Sequence, residues 1–230
     1  MAPASVTKVM TLLLIMEALD SGRITLQDTV SVSAHAAGMG GSQVFLKAGE
    51  EMSVDDLLKS LVVVSANDAT VALGEYLCGS EAAFVQAMNV RARELGCENS
   101  NFVNTNGLPA ENHYSCALDV AIITRELLKH EKILDYTTIW MDTIRNGEFG
   151  LSNTNRLIRF YEGANGLKTG STSKAKFCIS ATAKRGELSL IAVVMGAPTK
   201  EERNALAAKL LDFGFANYEI VTPETPKEIP

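Results

Sequence analysis

The chain has 230 residues, 47% of them hydrophobic and 21% charged, which is enough apolar material for a sizeable core and excludes intrinsic disorder. It carries 21 basic and 27 acidic residues, so its net charge is −6, and no cluster of lysine and arginine stands out. Nucleic acid is therefore not an expected partner, because binding a phosphate backbone depends on clustered positive charge. The longest apolar run, residues 9–16, is too short to cross a bilayer and predicts a buried helix.

The cysteines are scattered along the chain without a CxxC pair, and only three histidines accompany them. A structural zinc site needs such ligands at close spacing, so we predict neither a metal nor another cofactor. The cysteines are interpreted as buried or half-buried thiols, and a disulfide stays possible because spacing alone cannot pair them. They are Cys78, Cys97, Cys116 and Cys178.

The first two-thirds of the chain is predicted to be mainly helical. Apolar residues at helical spacing predict a helix over 5–20. Ser53 is predicted to begin another helix, because it is a suitable N-cap and acidic residues follow it in the first turn. That helix is expected to break at 65–68. Further helices are predicted over 69–77, from Ser80 to about Gly96, and over 117–130.

The last third is predicted to contain a small antiparallel sheet. The β-rich runs at 175–184 and 187–195 are separated by Arg185-Gly186, which is a hairpin signal, and 163–169 is predicted as a third strand. A final helix is predicted over 199–213, ending at Gly214. Together these elements predict a mixed α/β (α+β) fold, in which an antiparallel sheet is flanked by helices beside a helical lobe.

Three short motifs occur in order along the chain, and their combination is the main functional signal. They are Ser5-Val6-Thr7-Lys8, Ser65-Ala66-Asn67 and Lys168-Thr169-Gly170. About one SxxK is expected by chance in a chain of this length, whereas a chance KTG occurs in about one in ten to twenty such chains. Each motif alone also has a structural interpretation, as a helix cap, a helix-breaking turn or a strand end. Their joint occurrence favours a functional site.

The predicted settings of these motifs suit acyl transfer without histidine. Ser5 and Lys8 lie one helical turn apart, so their side chains share a face. A lysine acts as a base only when its amine is neutral, which burial and a neighbouring cation favour. Ser65 and Asn67 fall in a tight break between helices, and Lys168 lies on a strand. A nucleophile, a buried amine, a proton relay and a second cation together predict an acyl-transfer site.

The three motifs and their surroundings resemble the penicillin-recognising serine acyltransferases, and more narrowly the low-molecular-mass penicillin-binding proteins that are D-alanyl-D-alanine carboxypeptidases. The similarity covers nearly the whole chain. The similar segments are 3–11, 61–72, 102–108, 153–157, 165–172 and 193–196. The resemblance implies a β-lactamase/DD-peptidase-like fold. It also implies an enzyme that removes the terminal D-alanine from peptidoglycan stem pentapeptides ending in D-Ala-D-Ala and is acylated by β-lactam antibiotics.

The resemblance implies a role for each motif residue. Ser5 is the expected nucleophile, Lys8 is the base that takes its proton, and Ser65 is the relay that protonates the departing D-alanine amine. Asn67 is expected to hold the substrate amide. Lys168 is expected to line the cleft and to keep Lys8 neutral by repulsion.

Four further residues are expected to bind substrate. Thr169 and Gly170 would line the cleft beside Lys168. The backbone N–H of Ser171 would form an oxyanion hole together with that of Ser5. Arg203, in the helix after the last strand, is the expected partner of the substrate's terminal carboxylate.

The family carries a helix and strands ahead of its SxxK serine, whereas four residues precede Ser5 here. We therefore expect residues 1–221 to be a catalytic domain truncated at its N-terminus, and 222–230 to be a linker toward an absent C-terminal domain. The resemblance implies an extracytoplasmic location in the cell envelope. Signal and anchor segments are expected outside this sequence, and membrane contact only through them.

Three alternatives remain open at this point. A class A β-lactamase uses the same motifs plus a glutamate for deacylation, but the Glu148–Asn153 stretch is one residue too long for the ExxLN pattern of that loop. A murein endopeptidase would use the same residues on another substrate. An inactive peptidoglycan-binding relative would lack the chemistry, although the expected side chains are present.

Overall fold

Three of the predicted helices begin where the sequence supplies a side-chain cap. The protein is described by a computed structural model that covers residues 1–221, so the predicted linker at 222–230 lies outside the described residues. The hydroxyls of Ser53, Ser80 and Thr199 each accept a hydrogen bond from the backbone N–H three residues further on. A cap of this kind stabilises a helix by about 1 kcal/mol, which explains why these three starts were predictable.

The helices follow the predicted order. A 3₁₀ turn at Ala4–Thr7 leads into the first α-helix, so the predicted helix at 5–20 is confirmed with a tighter first turn. In chain order the helices are α1 (Lys8–Asp20), α2 (Ala34–Ala37), α3 (Val54–Val63), α4 (Asn67–Cys78), α5 (Glu81–Glu94), α6 (Ala117–Leu127), α7 (Ile133–Thr137), α8 (Leu157–Phe160) and α9 (Lys200–Asn217). Among residues 1–221, no helix combines the length and apolar character needed to cross a bilayer.

The predicted end of the last helix at Gly214 is wrong, because α9 continues to Asn217. Gly214 is buried against the sheet, and a Cβ at this position would lie 2.5 Å from Cδ1 of Leu190. The glycine therefore provides room for a close approach between helix and strand rather than ending the helix. The helix predicted over 117–130 is shorter than expected, since α6 ends at Leu127 and hydrogen-bonded turns follow it.

The strands form antiparallel sheets. They are β1 (Thr29–Ser31), β2 (Glu51–Ser53), β3 (Met141–Ile144), β4 (Phe149–Ser152), β5 (Ala164–Thr172), β6 (Lys176–Arg185) and β7 (Leu188–Ala197). Within residues 1–221, β1 pairs with β2, β3 pairs with β4, and the main sheet has the order β5-β6-β7. The predicted hairpin at Arg185-Gly186 is confirmed, because Arg185 pairs with Leu188 across it.

The central strand β6 is covered on both faces. Its odd-numbered residues 179, 181 and 183 belong to a core shared with Ala207 and Leu211 of α9. On the other face, the buried hydroxyl of Ser180 lies 2.7 Å from Oγ1 of Thr124 in α6. This alternation places α9 on one side of the sheet and the helical lobe on the other. The predicted arrangement of a sheet flanked by helices is confirmed.

Helix α1 lies at the centre of the helical lobe. It contacts α4, α5, α6 and strand β5, and most of its residues are buried, as expected for a helix that is apolar on nearly all sides. The same helix carries Lys8 in its first turn, and the side chain of Lys8 is completely buried. The packing of α1 therefore places the first motif at the junction between the lobe and the sheet.

Gly107 determines how closely the segment after α5 approaches the 3₁₀ turn. Its φ is +87°, and a Cβ at this position would overlap the backbone carbonyl of Ala4 and lie 2.9 Å from Oγ1 of Thr7. Only glycine combines this left-handed backbone conformation with this close approach. The turn that carries Ser5 is therefore packed backbone to backbone against this segment.

We predict that Gly107→Ala destabilises the protein much more than Gly49→Ala, which serves as a matched control. Gly49 has a similar φ of +80°, but a Cβ there would meet no atom within 4 Å. The control should lose about 1–2 kcal/mol because alanine disfavours positive φ. Gly107→Ala should lose about 1–3 kcal/mol more, because the backbone must move to relieve the overlap. Urea denaturation measures both values, and equal losses would contradict this account of Gly107.

Candidate active site

The three motifs meet at one cleft between the helical lobe and the main sheet. A cavity of about 210 Å³ opens there. Its lining residues come from all three motifs and from neighbouring loops and are Ser5, Ser42, Ser65, Thr154, Thr169, Gly170, Ser171, Phe177, Lys200 and Arg203. The buried side chain of Lys8 contacts two motif residues, Ser5 of the first motif and Asn67 of the second. The structure thus brings together residues that are more than 160 positions apart in the sequence.

The amine of Lys8 lies within hydrogen-bond distance of three oxygen atoms. Its Nζ is 3.1 Å from Oγ of Ser5, 2.7 Å from Oδ1 of Asn67 and 2.8 Å from the backbone carbonyl of Asn106. A neutral amine has two N–H donors and one lone pair. Because Asn67 and Asn106 offer only acceptors to it, they take the two donors, and the lone pair is left facing the hydroxyl of Ser5.

The surroundings of Lys8 favour this neutral form. Burial is the largest effect and lowers the pKa of Lys8 well below its usual value, because a charged amine loses its hydration there. Repulsion from Lys168 lowers it further, and the nearby carboxylate of Asp68 acts in the opposite direction. The predicted repulsion between the two lysines is therefore present, but it is secondary to burial.

Ser65 occupies an unusual backbone conformation at the break between α3 and α4. Its φ is +64°, which is uncommon for a residue with a side chain and costs about 1–3 kcal/mol. Its buried Oγ has no hydrogen-bond partner among residues 1–221, although it lines the cleft. A strained residue with an unsatisfied hydroxyl is suited to bind a group that enters the cleft.

Asn67 and Asp68 attach the loop at 40–46 to the start of α4. The Nδ2 group of Asn67 donates to the carbonyl of Gly40 at 2.7 Å, and its backbone N–H donates to the carbonyl of Ser42 at 2.7 Å. The buried carboxylate of Asp68 accepts hydrogen bonds from the backbone N–H groups of Val44 and Leu46. Asn67 therefore positions both Lys8 and one wall of the cleft, while its expected contact with substrate stays a prediction.

The third motif lies on β5, opposite the first. Burial, aided by repulsion from Arg203, lowers the pKa of Lys168 to about 7. Thr169 donates a hydrogen bond to Oγ1 of Thr154 at 2.9 Å. A Cβ at Gly170 would lie only 2.6 Å from the backbone nitrogen of Ser5, so the glycine allows β5 to approach the 3₁₀ turn. This close approach places the strand beside Ser5.

Arg203 lies in the first turn of α9 and reaches the cleft from the far side of the sheet. Its side chain is only 6% exposed, and it donates two hydrogen bonds to Oδ1 of Asn204, at 3.1 and 2.9 Å. Lys200, the first residue of α9, lines the same cleft. These two cations make this end of the cleft positive and suited to an anionic group. Lys168, which was expected to line the cleft, is buried and absent from the lining, although its neighbour Thr169 is part of it.

Sequence reasoning assigned no role to several residues of the cleft. They are Ser42, Thr154, Phe177 and Lys200 in the lining, and Asn106, whose carbonyl binds Lys8. Thr154 and Asn106 lie in segments that resemble the family, 153–157 and 102–108, which was the available signal. The contact of Asn106 is made by its backbone, so the identity of its side chain carries no information about it.

The arrangement of the titratable and sulfur-containing side chains bears on metal binding and on disulfides. In the described part of the chain, no group of three or more His, Cys, Asp or Glu side chains is arranged to hold a metal ion. The four cysteines are present as thiols in the structure, two buried and two partly buried.

Comparison with known proteins identifies many relatives. A family model described as D-alanyl-D-alanine carboxypeptidase matches residues 1–199. The D-alanyl-D-alanine carboxypeptidase DacF of Bacillus subtilis is 54% identical over 222 residues, or 95% of this chain. The D-alanyl-D-alanine carboxypeptidase DacC of Escherichia coli is 37% identical over 231 residues, or 97% of this chain.

Solved structures share the fold. Penicillin binding protein 6B from Escherichia coli superposes with a TM-score of 0.92 at 37% identity, covering 100% of this chain and 74% of its own. Penicillin-Binding Protein D2 from Listeria monocytogenes, in its ampicillin bound form, has a TM-score of 0.83 at 31% identity, covering 94% of this chain and 88% of its own. The DD-peptidase-like fold implied by the resemblance is therefore confirmed.

The extent of these matches decides the family. This chain spans 57% of the length of the Bacillus relative and 58% of the Escherichia DacC relative, while the family model covers residues 1–199 of the chain itself. The resemblance inferred from the three motifs is confirmed. The chain belongs to the D-alanyl-D-alanine carboxypeptidase family.

Proposed function

We propose that this chain is a serine-type D-Ala-D-Ala carboxypeptidase, which removes the terminal D-alanine from peptidoglycan stem pentapeptides through an acyl-enzyme. The observation that carries the proposal is the contact between Ser5 Oγ and the buried amine of Lys8 at 3.1 Å. Asn67 and Asn106 occupy the two N–H donors of the neutral amine, so its lone pair faces the hydroxyl. A serine paired with an oriented base is the arrangement that nucleophilic catalysis requires.

In the acylation step, Oγ of Ser5 attacks the carbonyl carbon of the D-Ala-D-Ala peptide bond and Lys8 accepts the hydroxyl proton. The carbonyl oxygen becomes negative, and the backbone N–H groups of Ser5 and Ser171 are the proposed donors that stabilise it. The close approach of Gly170 to the backbone nitrogen of Ser5 supports this role, since it brings β5 alongside the nucleophile.

The peptide bond then breaks, and the leaving D-alanine needs a proton on its amine. Ser65 is the proposed relay, because its buried hydroxyl lines the cleft and is unsatisfied among the described residues. The proton that Lys8 accepted passes through this hydroxyl to the amine. Water next attacks the ester of Ser5, which releases the shortened peptide and restores the serine.

The terminal carboxylate of the substrate is proposed to bind at the positive end of the cleft. Arg203 and Lys200 line this end and supply charge, and Thr169 supplies a hydroxyl. Lys168, buried on the same strand as Thr169, adds its charge below its pKa of about 7. Carboxylates bind guanidinium groups strongly because charge-assisted hydrogen bonds are stronger than neutral ones. The preference for a free carboxylate at the substrate terminus follows from this positive charge.

The proposal extends to partners, location and domain organisation. β-Lactam antibiotics would acylate Ser5, as they mimic the acyl donor, and a related protein from Listeria monocytogenes is solved in its ampicillin bound form. Because stem peptides lie outside the cytoplasmic membrane, we propose that the chain acts in the cell envelope. Residues 1–221 are proposed as the catalytic domain of this activity.

The alternatives receive less support. Glu148, the residue considered for a β-lactamase, lies next to the β3–β4 hairpin turn and lines a different groove with Phe45, Glu50 and Arg145. An inactive binding relative is disfavoured by the contact between Ser5 and Lys8. A murein endopeptidase shares this chemistry and differs only in which amide enters the cleft.

Two measurements test the proposed function. Mass spectrometry of products from a pentapeptide ending in D-Ala-D-Ala should show loss of one D-alanine, whereas cleavage only of cross-linked muropeptides would favour an endopeptidase.

A fluorescent penicillin should label the wild type covalently, with slow release, and should not label Ser5→Ala. Fast release would favour a β-lactamase, and persistent labelling of Ser5→Ala would contradict the assignment of the nucleophile. Ser5→Ala should lower kcat by about 10⁴–10⁶.

We predict that Lys8→Arg abolishes acylation, whereas Lys168→Arg is milder. Arginine keeps the charge but cannot be deprotonated, so it cannot serve as the base at position 8. At position 168 a cation is sufficient. Penicillin acylation rates of the two purified variants measure this difference, and faster acylation by Lys8→Arg would mean that the two roles are reversed.

The lowered pKa of Lys168 predicts a pH dependence of substrate binding. Because Lys168 is charged below its pKa and neutral above it, the affinity for a carboxylate should fall as the pH rises through about 7. KM for the pentapeptide should rise over this range in the wild type. In Lys168→Arg, which stays charged, the rise should be absent. An identical pH profile of KM in both proteins would contradict a role for Lys168 in carboxylate binding.

We predict that Arg203→Ala weakens the reaction with free-carboxylate peptides far more than with the corresponding C-terminal amides. Removing one partner of a buried, hydrogen-bonded charge pair costs about 2–5 kcal/mol, and the amide lacks the charge that forms the pair. The ratio of kcat/KM for the two substrates is the measurement. Equal losses on both substrates would assign Arg203 a structural role.

A further inference from the structure

His113 is a buried histidine that is far from the three motifs in sequence but contacts the first one in the structure. Its side chain is 5% exposed, and its Nε2 lies 2.8 Å from Oγ1 of Thr7. Its Nδ1 lies 3.0 Å from the backbone nitrogen of Val103. Since a backbone N–H can only donate, Nδ1 accepts, and Nε2 carries the proton that is donated to Thr7. Both ring nitrogens are therefore used, and the tautomer is defined.

Burial also keeps this imidazole neutral. It lowers the pKa of His113 to about 4, because a charged ring loses its hydration there. The edge-to-face contact with the ring of Phe102, at 6.0 Å between centroids, is part of this apolar surrounding. At neutral pH the ring therefore presents one acceptor and one donor, which is what its two partners require.

The partner of His113 is the residue directly before the proposed base. Thr7 ends the 3₁₀ turn that carries Ser5, and Lys8 begins α1. The same turn is packed against Gly107, where a Cβ would overlap the carbonyl of Ala4. Thr7 thus lies in the chain between the proposed nucleophile and the proposed base, and its hydroxyl contacts His113.

The segment at 103–113 binds this region at successive points. In addition to the contact between His113 and Thr7, the carbonyl of Asn106 accepts from Lys8 and the carbonyl of Thr105 accepts from Oγ1 of Thr11 at 2.6 Å. His113 connects the two regions, because its ring accepts a hydrogen bond from the backbone of Val103 and donates one to Thr7 in the 3₁₀ turn. A shift of the segment would move the acceptor of Lys8.

We propose that His113 is a positioning residue, which holds Thr7 so that the amine of Lys8 stays aligned with the hydroxyl of Ser5. This inference rests on the proposed function, because it concerns the same nucleophile and base. A misplacement of about 1 Å at a reacting pair can lower a rate by about 10²-fold, so loss of this hydrogen bond should slow acylation without weakening the initial binding of the β-lactam.

A matched pair of substitutions separates the two hydrogen bonds of the ring. The terminal amide of glutamine can reach the position of Nε2 and donate to Thr7, so His113→Gln should retain most of the acylation rate. Asparagine can replace Nδ1 toward Val103 but is too short to reach Thr7. His113→Asn should therefore lower the first-order acylation rate constant about 10- to 100-fold. Thr7→Val replaces the hydroxyl with a methyl group of similar size and should have the same effect.

The readout is penicillin acylation, separated by stopped flow into the non-covalent dissociation constant and the first-order acylation rate constant. The dissociation constant should be unchanged in all three variants. Combining Thr7→Val with His113→Asn should lower the rate no further than either change alone, because both remove the same interaction. His130→Asn is the control, since this histidine lies near the surface beside Asp20, at the other end of α1. It should acylate like the wild type.

The outcomes separate the inference from the proposed function. If the wild type is not acylated at Ser5, the proposed function fails. If the wild type is acylated and Thr7→Val and His113→Asn match its rate constant, the positioning role is wrong. Equal losses in His113→Gln and His113→Asn that follow their urea stabilities would also overturn it. If His113→Asn does not fold, Thr7→Val decides, because it keeps the side-chain shape.

Discussion

A lysine amine buried in the core is the constraint on which the rest of this structure depends. Lys8 is completely buried, and a charged amine there would lose its hydration, so the site favours the neutral form. A neutral amine still needs partners for its two N–H groups. Asn67 and the carbonyl of Asn106 provide them from two different segments. One side chain of α1 therefore links α4 and the segment after α5 in the core.

The second constraint is the close approach of backbones around Ser5. Gly107 and Gly170 lie near the 3₁₀ turn at Ala4–Thr7, and a Cβ at either position would collide with its backbone. Because both positions lack a Cβ, the helical lobe and the sheet can both pack against the same four-residue turn. The cleft forms where the helical lobe and the sheet meet at this turn. Close packing of the turn against the backbones at Gly107 and Gly170 leaves little room for it to move.

Most polar side chains described at the cleft both hold neighbouring segments in place and contact site residues. Asn67 binds Lys8 with its oxygen and the loop at 40–46 with its nitrogen, while Asp68 binds the backbone of the same loop. Ser65 is the exception, since its buried hydroxyl lacks a partner among residues 1–221 and its backbone is strained. This contrast between satisfied and unsatisfied groups separates residues that hold the cleft from one that is suited to act in it.

The sequence by itself determined the elements and the motif pairs that depend on local spacing. The caps at Ser53, Ser80 and Thr199 were readable because capping involves residues three apart, and the pairing of Ser5 with Lys8 followed from one helical turn. The family was readable because three motifs occur together, and the comparison confirmed it. The expected roles of the motif residues toward substrate remain predictions.

Only the tertiary structure decided the contacts made across long sequence separations. The carbonyl of Asn106 at Lys8, the ring of His113 at Thr7 and the role of Gly214 against Leu190 had no local signal. The physical reason is that each depends on where a distant backbone lies, and a backbone group or a small residue carries no such information in its identity. Helical period and capping act within a few residues, whereas the alignment of Lys8 is a property of the packed core.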